Sequence, residues 1–417
     1  MKTNIKYIFL AIVILAIGFS ACERLDNVSS IRNVEFVSAT AKIILPDDPY
    51  ALQPTSLMLR FTNFEEQFIK EMEINVNEFL VANGTLLISV DSLIPGIYSI
   101  LVFAEVPDEV MATTWIYTGN AVNLPIVSQN TELDINTVIS RAGALVFKEI
   151  FYAGRTLPQG GNYFREQFWE IYNNSEFTVY LDSLGFTILN PMNATATLPQ
   201  WPPEDGDRYV YADNAVWQIP GSGSCFPLQP GESVVIAQRA INHPAFMQNS
   251  VLDLLGAEFE TYINNPNIPS NPNVIHMNLV FHRPPINFQW LAPLAGPALV
   301  IFRQTGPIDP NNLARAYGTV IDRLRIRRSD VIDAVEAIGN AGLITQKRMP
   351  AELDAGAVTV GGLNTGLGAV RRVRDWRPDG TPILWDTNNS TDDFEVVADP
   401  QVRRHGSRRP TWNTWHP

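Results

Sequence analysis

The fold is decided by the stretch Glu78-Phe79-Leu80-Val81-Ala82-Asn83-Gly84-Thr85-Leu86-Leu87-Ile88-Ser89-Val90. An Asn-Gly pair between two apolar runs predicts a β-hairpin, because both residues tolerate the positive φ that tight hairpin turns require. The next segment is Ile94-Pro95-Gly96-Ile97-Tyr98-Ser99-Ile100-Leu101-Val102-Phe103-Ala104. Its Pro-Gly turn leads into a strand that is apolar on nearly both faces, which is typical of the centre of a β-sandwich.

The sequence upstream of this hairpin has the same strand character. Apolar residues alternate with polar ones at Val37, Ala39, Ala41, Ile43 and Leu45, and again at Leu57, Leu59 and Phe61. This period of two predicts strands with one buried face. The segment 64–73 fits either a short helix or a charged edge strand. We place the end of this first β-module at residue 141, so that it covers residues 33–141.

A second β-module is predicted over residues 142–417. It begins with the strand Leu145-Val146-Phe147-Lys148-Glu149-Ile150-Phe151-Tyr152. Further strands follow at 168–172, 233–237 and 296–302, separated by turns rich in Asn, Pro and Gly. The sequence thus predicts an all-β protein with two immunoglobulin-like β-sandwich modules in tandem, the second with long loop insertions.

The predicted insertions are residues 190–227 and 240–295. They are longer than ordinary connections, and loops of that size are usually functional or disordered. They contain six large aromatic residues: Trp201, Trp217, Phe246, Tyr262, Phe288 and Trp290. Such rings either line a ligand groove or anchor the loops to the sandwich. We favour the second interpretation, because long ordered loops need anchoring residues of their own.

Several segments resemble known families. The first module resembles the prealbumin-like, carboxypeptidase-regulatory β-sandwich at Asn83-Gly84-Thr85, Leu93, Pro95-Gly96, Tyr98 and Val102. The second module resembles the lamin-tail domain, an immunoglobulin-like sandwich, at 168–175 and 179–186. Residues 147–154 and 369–395 together carry a further resemblance, which covers nearly the whole chain, to a Bacteroidetes-type lipoprotein family of unknown function. This resemblance implies an outer-membrane lipoprotein of two β-modules and assigns no activity.

The N-terminus predicts export and lipidation. Lys2 and Lys6 precede the apolar run 7–17, and Ser20-Ala21-Cys22 follows. This order is that of a signal peptide, and it resembles a bacterial lipobox. We therefore expect a signal peptide over residues 1–21, cleavage after Ala21, acylation of Cys22 and a short tether over 22–32. The alternatives are an ordinary signal peptide and a single membrane anchor.

Composition limits the classes of partner. The chain carries a formal net charge of −13 at pH 7, which argues against nucleic acid. Only two cysteines are present. If Cys22 is acylated, Cys225 has no partner for an intramolecular disulfide bond. Cys225 has no neighbouring His in the sequence that would activate it, so we interpret it as an inert thiol.

The sequence contains no recognisable catalytic, cofactor or metal motif. Asp386, Asn388, Ser390 and Asp392 have the alternation of a calcium loop, but Thr391 and Val397 stand where an EF-hand requires Gly and Glu. We interpret this segment as a capped turn. We expect no cofactor and no bound metal, and we interpret the protein as a non-enzyme.

The C-terminal region is rich in Arg and Trp. Arg323, Arg325 and Arg327 alternate, so on a strand they would line one face. They are our candidate partner-binding residues, and the alternative is a solvated strand face balanced by the acidic body of the chain. The tail ends with Trp412 and Trp415, which would dock on the sandwich or on a neighbouring protein.

The functional hypothesis is a cell-envelope lipoprotein that binds a ligand or partner protein at the outer membrane, as an accessory to a transport or assembly barrel. The alternative is a glycan-active enzyme or enzyme accessory, with the first sandwich as a spacer. We expect the membrane, through the lipid, and a barrel protein or a glycan as partners. The sequence leaves open the oligomeric state and whether the protein faces the periplasm or the cell exterior.

Overall fold

The structure is a computed structural model that describes residues 35–415 apart from 48–50, 64, 83, 109–112, 142, 248–249, 266, 269–270, 284–287 and 305. The proposed signal peptide, Ala21, Cys22 and the tether lie outside the described residues. Strands dominate the described part. The helices that the structure describes are short: α1 Val76–Phe79, α2 His243–Phe246 and α3 Ser390–Asp393. No described helix is long and apolar enough to cross a bilayer.

The first eight strands form one continuous sheet that folds back on itself. Their bounds are β1 Val37–Ile44, β2 Ser56–Asn63, β3 Phe68–Asn75, β4 Leu80–Ala82, β5 Thr85–Leu93, β6 Gly96–Asp108, β7 Thr113–Ile126 and β8 Thr131–Arg141. The strand order is β3-β2-β6-β7-β8-β1-β5-β4. β8 belongs to both halves, because residues 131–136 pair with β1 and residues 137–141 pair with β7. One apolar core joins the two halves.

The strand predictions for this region are confirmed. Val37, Ala39, Ala41 and Ile43 are all buried, and the hairpin between β4 and β5 forms with Gly84 at a φ of 70°. Asn83, the other turn residue, lies outside the described residues. Most of the ambiguous segment 64–73 belongs to the charged edge strand β3, which pairs with β2 alone.

The remaining strands of the described part build two large facing sheets and three two-stranded ones. Their bounds are β9 Leu145–Phe151, β10 Arg155–Thr156, β11 Asn162–Tyr163, β12 Phe168–Asn173, β13 Val179–Tyr180, β14 Gly185–Leu189, β15 Tyr209–Gln218, β16 Pro227–Leu228, β17 Ser233–Ala237, β18 Phe259–Glu260, β19 Ile275–His276, β20 Asn278–His282, β21 Ala298–Phe302, β22 Leu313–Arg315, β23 Asp322–Arg327, β24 Val331–Glu336, β25 Gly368–Arg371, β26 Val373–Trp376, β27 Pro382–Leu384 and β28 Phe394–Val397. One sheet has the order β19-β18-β17-β12-β9-β25-β28. The other has the order β22-β23-β15-β14-β21-β24, with β20 also paired to β15. The two-stranded sheets are β10-β11, β13-β16 and β26-β27.

The core between these sheets is built from aromatic rings. Trp169 on β12, Trp217 on β15 and Trp290 are each at most 1% exposed. The ring centroid of Trp290 lies 5.4 Å from that of Trp169 and 6.1 Å from that of Trp217. Such tilted and edge contacts add to the gain from burying the rings. Since strands make up nearly all of the regular structure in the described part, the predicted all-β class is confirmed.

The two predicted insertions contain strands and a short helix and are not simply long loops. Residues 190–227 contain β15, which is an internal strand of its sheet, and the first residue of β16. Residues 240–295 contain α2, β18, β19 and β20. The sequence did not predict β15 as a strand, because Asp213 and Asn214 interrupt its apolar pattern. At that point the pairing of β15 with β14 changes register, between Thr187 and Leu189 of β14.

Candidate functional site

The two sheet systems meet at a small mixed interface. Leu101, Phe103 and Ile116 present an apolar patch on the outer face of the first sheet, and Trp385 packs against it. The ring centroids of Phe103 and Trp385 are 6.1 Å apart. The hydroxyl of Thr118 donates a hydrogen bond of 2.6 Å to the carbonyl oxygen of Thr387. Segment 385–393 is therefore one part of the second system that touches the first. Arg374 is another, since its guanidinium lies 2.6 Å from the carboxylate of Glu105.

Segment 386–393 is the stretch that resembled a calcium loop. Asn389 caps helix α3 by accepting a hydrogen bond from the backbone N–H of Thr391. The carboxylate of Asp393 accepts hydrogen bonds from the backbone N–H and the hydroxyl of Thr387. The carboxylate of Asp392 lies 3.6 Å from the guanidinium of Arg60. These contacts support the interpretation as a capped turn, since the side chains bond protein groups.

Arg371 lies at the centre of this arrangement and is 1% exposed. Its guanidinium donates two hydrogen bonds to Asp333, of 2.8 and 3.0 Å. It also donates to Asp393 at 3.1 Å and to Asp386 at 3.3 Å. A fifth bond, of 2.8 Å, reaches the carbonyl oxygen of Phe147 on β9. One buried cation thus ties together three carboxylates from two distant parts of the chain.

Burial of this cluster disfavours the ionised carboxylates. It raises the pKa of Asp333 and that of Asp393 to about 7, although Arg371 acts in the opposite direction. A single guanidinium cannot balance three ionised carboxylates in a water-poor environment. We infer that the cluster holds a proton near neutral pH.

Clefts surround the junction between the two sheet systems. Two of them, of about 590 and 540 Å³, share Gly143, Ala144 and Phe177, and we call this pair the junction groove. Gly143 is required by close packing, because a Cβ there would lie 2.5 Å from the carbonyl oxygen of Ile332. Phe177 is 59% exposed and Tyr180 is 44% exposed. The groove therefore presents two large rings to solvent.

The carboxylates bound by Arg371 also contribute to clefts at this junction. Asp386 lines the smaller cleft of the junction groove. Asp333 lines a neighbouring cleft of about 410 Å³, together with Trp115 of the first sheet. Asp393 lines a third one beside Arg60 and Trp385. The walls of these clefts therefore depend on the Arg371 cluster for their position.

A separate cleft of about 370 Å³ lies on the second system, beside the Pro-rich segment 198–203. The ring of Trp201 stacks on that of Tyr211 at 3.5 Å and 10°. The hydroxyl of Tyr211 donates to Asp205, and Asp205 also accepts a hydrogen bond of 2.8 Å from Arg325. We call this the Trp201 cleft. The aromatic stack lines this cleft, and the hydroxyl of Tyr211 connects the stack to a partly buried ion pair.

The candidate arginines lie on β23 as the alternation predicted. Leu324 and Ile326 are buried, and the arginines occupy the intervening positions. Arg323 is paired with Asp213 at 3.4 Å and Arg325 with Asp205 at 2.8 Å, and both arginines are at most 20% exposed. Arg327 is exposed. The two ion pairs favour a structural role for Arg323 and Arg325, and partner binding by the three arginines stays a prediction.

The loop aromatics mostly pack against the sandwich. Trp217 and Trp290 belong to the core, and Trp201 stacks on Tyr211. The ring of Tyr262 packs at a tilt against that of His276, with centroids 4.5 Å apart. Phe288, in contrast, is 73% exposed. The side chain of Phe246 lies outside the described part. This arrangement supports the interpretation that these rings anchor the long connections.

The C-terminal tail covers charged residues that the sequence analysis did not single out. Glu149 and Glu170 are buried on β9 and β12. Arg404 in the tail donates a hydrogen bond of 2.8 Å to Glu149, and the backbone N–H of Arg403 donates one of 2.9 Å to Glu170. Trp412 packs on Phe226 and Phe259 in the same region. The tail thus docks on its own sandwich, one of the two arrangements that we considered.

His243 and Cys225 were the remaining residues of interest for chemistry. The ring of His243 is buried and bonds the hydroxyl of Tyr163 at 2.7 Å, while burial lowers the pKa of His243 to about 4. Cys225 is an exposed free thiol. Within the described ranges, no group of three His, Cys, Asp or Glu side chains is arranged to hold a metal ion.

Comparisons with known proteins place the chain among proteins of unknown function. Residues 229–401 match the family model described as "Protein of unknown function (DUF4876)". A similar solved structure is the crystal structure of a DUF4876 family protein from Bacteroides thetaiotaomicron VPI-5482. It is 34% identical, with a TM-score of 0.63, and the match covers 90% of this chain and 99% of that chain. No curated protein matches the chain.

The buried Arg371 cluster predicts a large effect on stability. Arg371→Met should lower the free energy of unfolding by about 3–5 kcal/mol, because removing one partner leaves buried carboxylates without a counter-charge. Arg327→Met is the matched control and should change it by less than about 0.5 kcal/mol, because this arginine is exposed. Urea denaturation measures both values. Equal effects of the two substitutions would contradict the assigned role.

Stability should also decrease as the pH rises through 7. Burial raises the pKa of Glu149 and of Glu260 to about 7, as it does for Asp333 and Asp393. Near pH 7 the folded state therefore retains protons that the unfolded state has released, so the free energy of unfolding falls as the pH rises. The low pKa of His243 acts in the opposite direction only between about pH 4 and 6.5.

We expect a decrease in the free energy of unfolding between about pH 6.5 and 8, measured by urea denaturation in steps of pH. Glu149→Gln removes one of the responsible groups and should make this slope shallower. A free energy of unfolding that stays constant or increases across this range would show that these carboxylates are already ionised in the folded state.

Proposed function

Because the chain belongs to the DUF4876 family of proteins of unknown function, we propose its function from its own residues. It is a non-enzymatic lipoprotein of the cell envelope that binds a ligand or partner protein at the outer membrane. The observation that carries this proposal is the junction groove, which presents Phe177 and Tyr180 to solvent. The buried Arg371 cluster lies beside it, and its Asp386 lines the smaller cleft of the groove. Exposed rings of this size are common anchors in binding surfaces.

The chemistry of the junction supports binding rather than catalysis. A carboxylate that serves as an acid or base must reach the substrate. Asp333 and Asp393 are each at most 3% exposed, and both bond Arg371. Asp386 bonds the same guanidinium. These carboxylates therefore act as structural partners of a cation, and their raised pKa values follow from burial.

The anchor is proposed from the sequence alone. Lipidation of Cys22 would attach the protein to a membrane, and the resemblance to Bacteroidetes-type lipoproteins points to the outer membrane. The two sandwiches would then be of the prealbumin-like and lamin-tail-like types, with the first module over 33–141 and the second over 142–417. One acyl chain gives only marginal attachment, so a stable anchor needs a second one.

A barrel protein of a transport or assembly system is the partner that we propose. The arginines offer a second contact surface, and of the three only Arg327 is exposed. Replacing all three would also remove the partners of Asp213 and Asp205. A test of this surface should therefore change Arg327 alone.

One observation favours the alternative, a glycan-active enzyme or enzyme accessory. The Trp201 cleft places an aromatic stack beside Tyr209, Asp207 and Arg328. Flat rings bordered by charged groups suit sugars, which have an apolar face and hydroxyl edges. Binding of oligosaccharides that is lost in Trp201→Ala would support this alternative over a protein partner.

Fractionation and co-purification test the main proposal. We expect Cys22→Ala to remove the protein from the outer-membrane fraction, and the wild-type protein to co-purify with a stoichiometric barrel protein from gently solubilised membranes. Phe177→Ala with Tyr180→Ala should abolish this co-purification, because both rings are exposed in the junction groove. Phe288→Ala is the matched control, since Phe288 is exposed elsewhere.

Two results would contradict the proposal. The first is an unchanged amount of the Cys22→Ala protein in the outer membrane, which would rule out the lipid anchor. The second is co-purification that is equally strong in the groove variants and in Phe288→Ala, which would rule out the junction groove as the contact surface.

A further inference from the structure

Arg303 lines the larger cleft of the junction groove. It follows β21 directly, and its backbone N–H donates a hydrogen bond of 2.8 Å to the carbonyl oxygen of Asp330. One terminal nitrogen of its guanidinium donates to the carbonyl oxygen of Tyr180. The Nε atom is buried and has no acceptor. No ion pair is found for Arg303 among the residues that the structure describes.

The carboxylate that acts on Arg303 at longer range is already engaged. Asp182 raises the pKa of Arg303, but desolvation lowers it and is the larger effect. The two oxygens of Asp182 accept hydrogen bonds of 3.0 Å from the backbone N–H groups of Gly223, Cys225 and Phe226. Asp182 thus holds the loop that forms one wall of the cleft at Gly223. The guanidinium remains a cation without a direct counter-charge.

The rest of the cleft is mainly apolar. Its lining includes Leu145, Val179, Val331 and Ile332. Hydroxyl groups come from Thr178, Tyr180 and Ser329. A sugar, with a hydroxyl on most carbons, would leave many of its polar groups unpaired here, which is costly. A dianion such as phosphate would bring more negative charge than one arginine balances. The lining instead suits a monoanion with an apolar body.

We propose that this cleft binds the carboxylate of a hydrophobic ligand. The guanidinium of Arg303 pairs with the carboxylate, for which its planar fork is well suited. The apolar body packs on Val331 and Ile332 and beneath the ring of Phe177. The ligand is either the C-terminal carboxylate of an apolar peptide or a fatty acid, which share this chemistry. The inference rests on the proposed binding function and names its ligand class.

The test is isothermal titration calorimetry on the mature chain, residues 22–417. The probes are decanoate with decanol as its uncharged match, and the acetylated peptide Ala-Leu-Phe as the free acid and as the amide. We expect each acid to bind at least about tenfold more tightly than its uncharged match, because charge-assisted hydrogen bonds are lost in the latter. The tighter of the two acids identifies the source of the carboxylate.

Arg303→Gln should weaken binding of the acids about 10- to 100-fold and leave decanol binding unchanged. Arg165→Gln is the matched control, since Arg165 is exposed and lies outside the lining of the cleft, and it should bind the acids like the wild type. Phe177→Ala should weaken binding of acid and alcohol alike, since it removes apolar contact only. Phe177 is exposed, so this variant retains the fold and provides a test even if Arg303→Gln does not fold.

The inference is overturned if each acid binds no more tightly than its uncharged match, if no acid binds at millimolar concentration, or if Arg303→Gln binds the acids like the wild type. Failure here with successful co-purification would leave the proposed function standing and reject only the carboxylate ligand. Carboxylate binding by a protein that lacks an outer-membrane anchor and a barrel partner would support the ligand and reject the proposed function.

Discussion

The structure depends on the burial of one guanidinium. Arg371 joins β25 to β9 through the carbonyl oxygen of Phe147, to β24 through Asp333, and to segment 386–393 through two further carboxylates. Asp333 also accepts a hydrogen bond of 2.6 Å from the backbone N–H of Phe147, which closes the connection between β9 and β24. A buried cation with several carboxylates is costly unless every partner is in place. The cluster therefore allows only a narrow range of positions for segment 386–393, and this segment contacts the first sheet.

Much of the fold could be predicted from the sequence because burial alternates along its strands. The residues from Val37 to Ile43 alternate in burial, and the Asn-Gly pair identifies its hairpin, whereas β9 is buried at every position. The charged residues of β9 and β12 were not predictable in this way. Lys148, Glu149 and Glu170 occupy positions that would normally face solvent, and it is a tail about 250 residues away that buries them. No local pattern carries that information.

The candidate site was predicted less well, for a related physical reason. The sequence analysis did not single out Arg371. Two of its carboxylate partners lie 15 and 22 residues later in the chain, and the third lies 38 residues earlier. Arg323 and Arg325 were assigned to the correct strand face. Their acidic partners are distant in sequence, however: Asp213 lies on β15, and Asp205 lies in the turn before it. The exposed rings of Phe177 and Tyr180 became significant only when the connection at Gly143 placed them beside a cleft. The shape of this junction depends on long-range contacts that local sequence does not specify.

The central claim is that the junction groove is the surface that meets another molecule. The most direct measurement is photo-crosslinking in living cells, with benzoylphenylalanine placed at position 177 or, as the matched exposed control, at position 288. Our account predicts one discrete crosslinked product from position 177 that is absent from position 288. No product from position 177, or the same products from both positions, would contradict it.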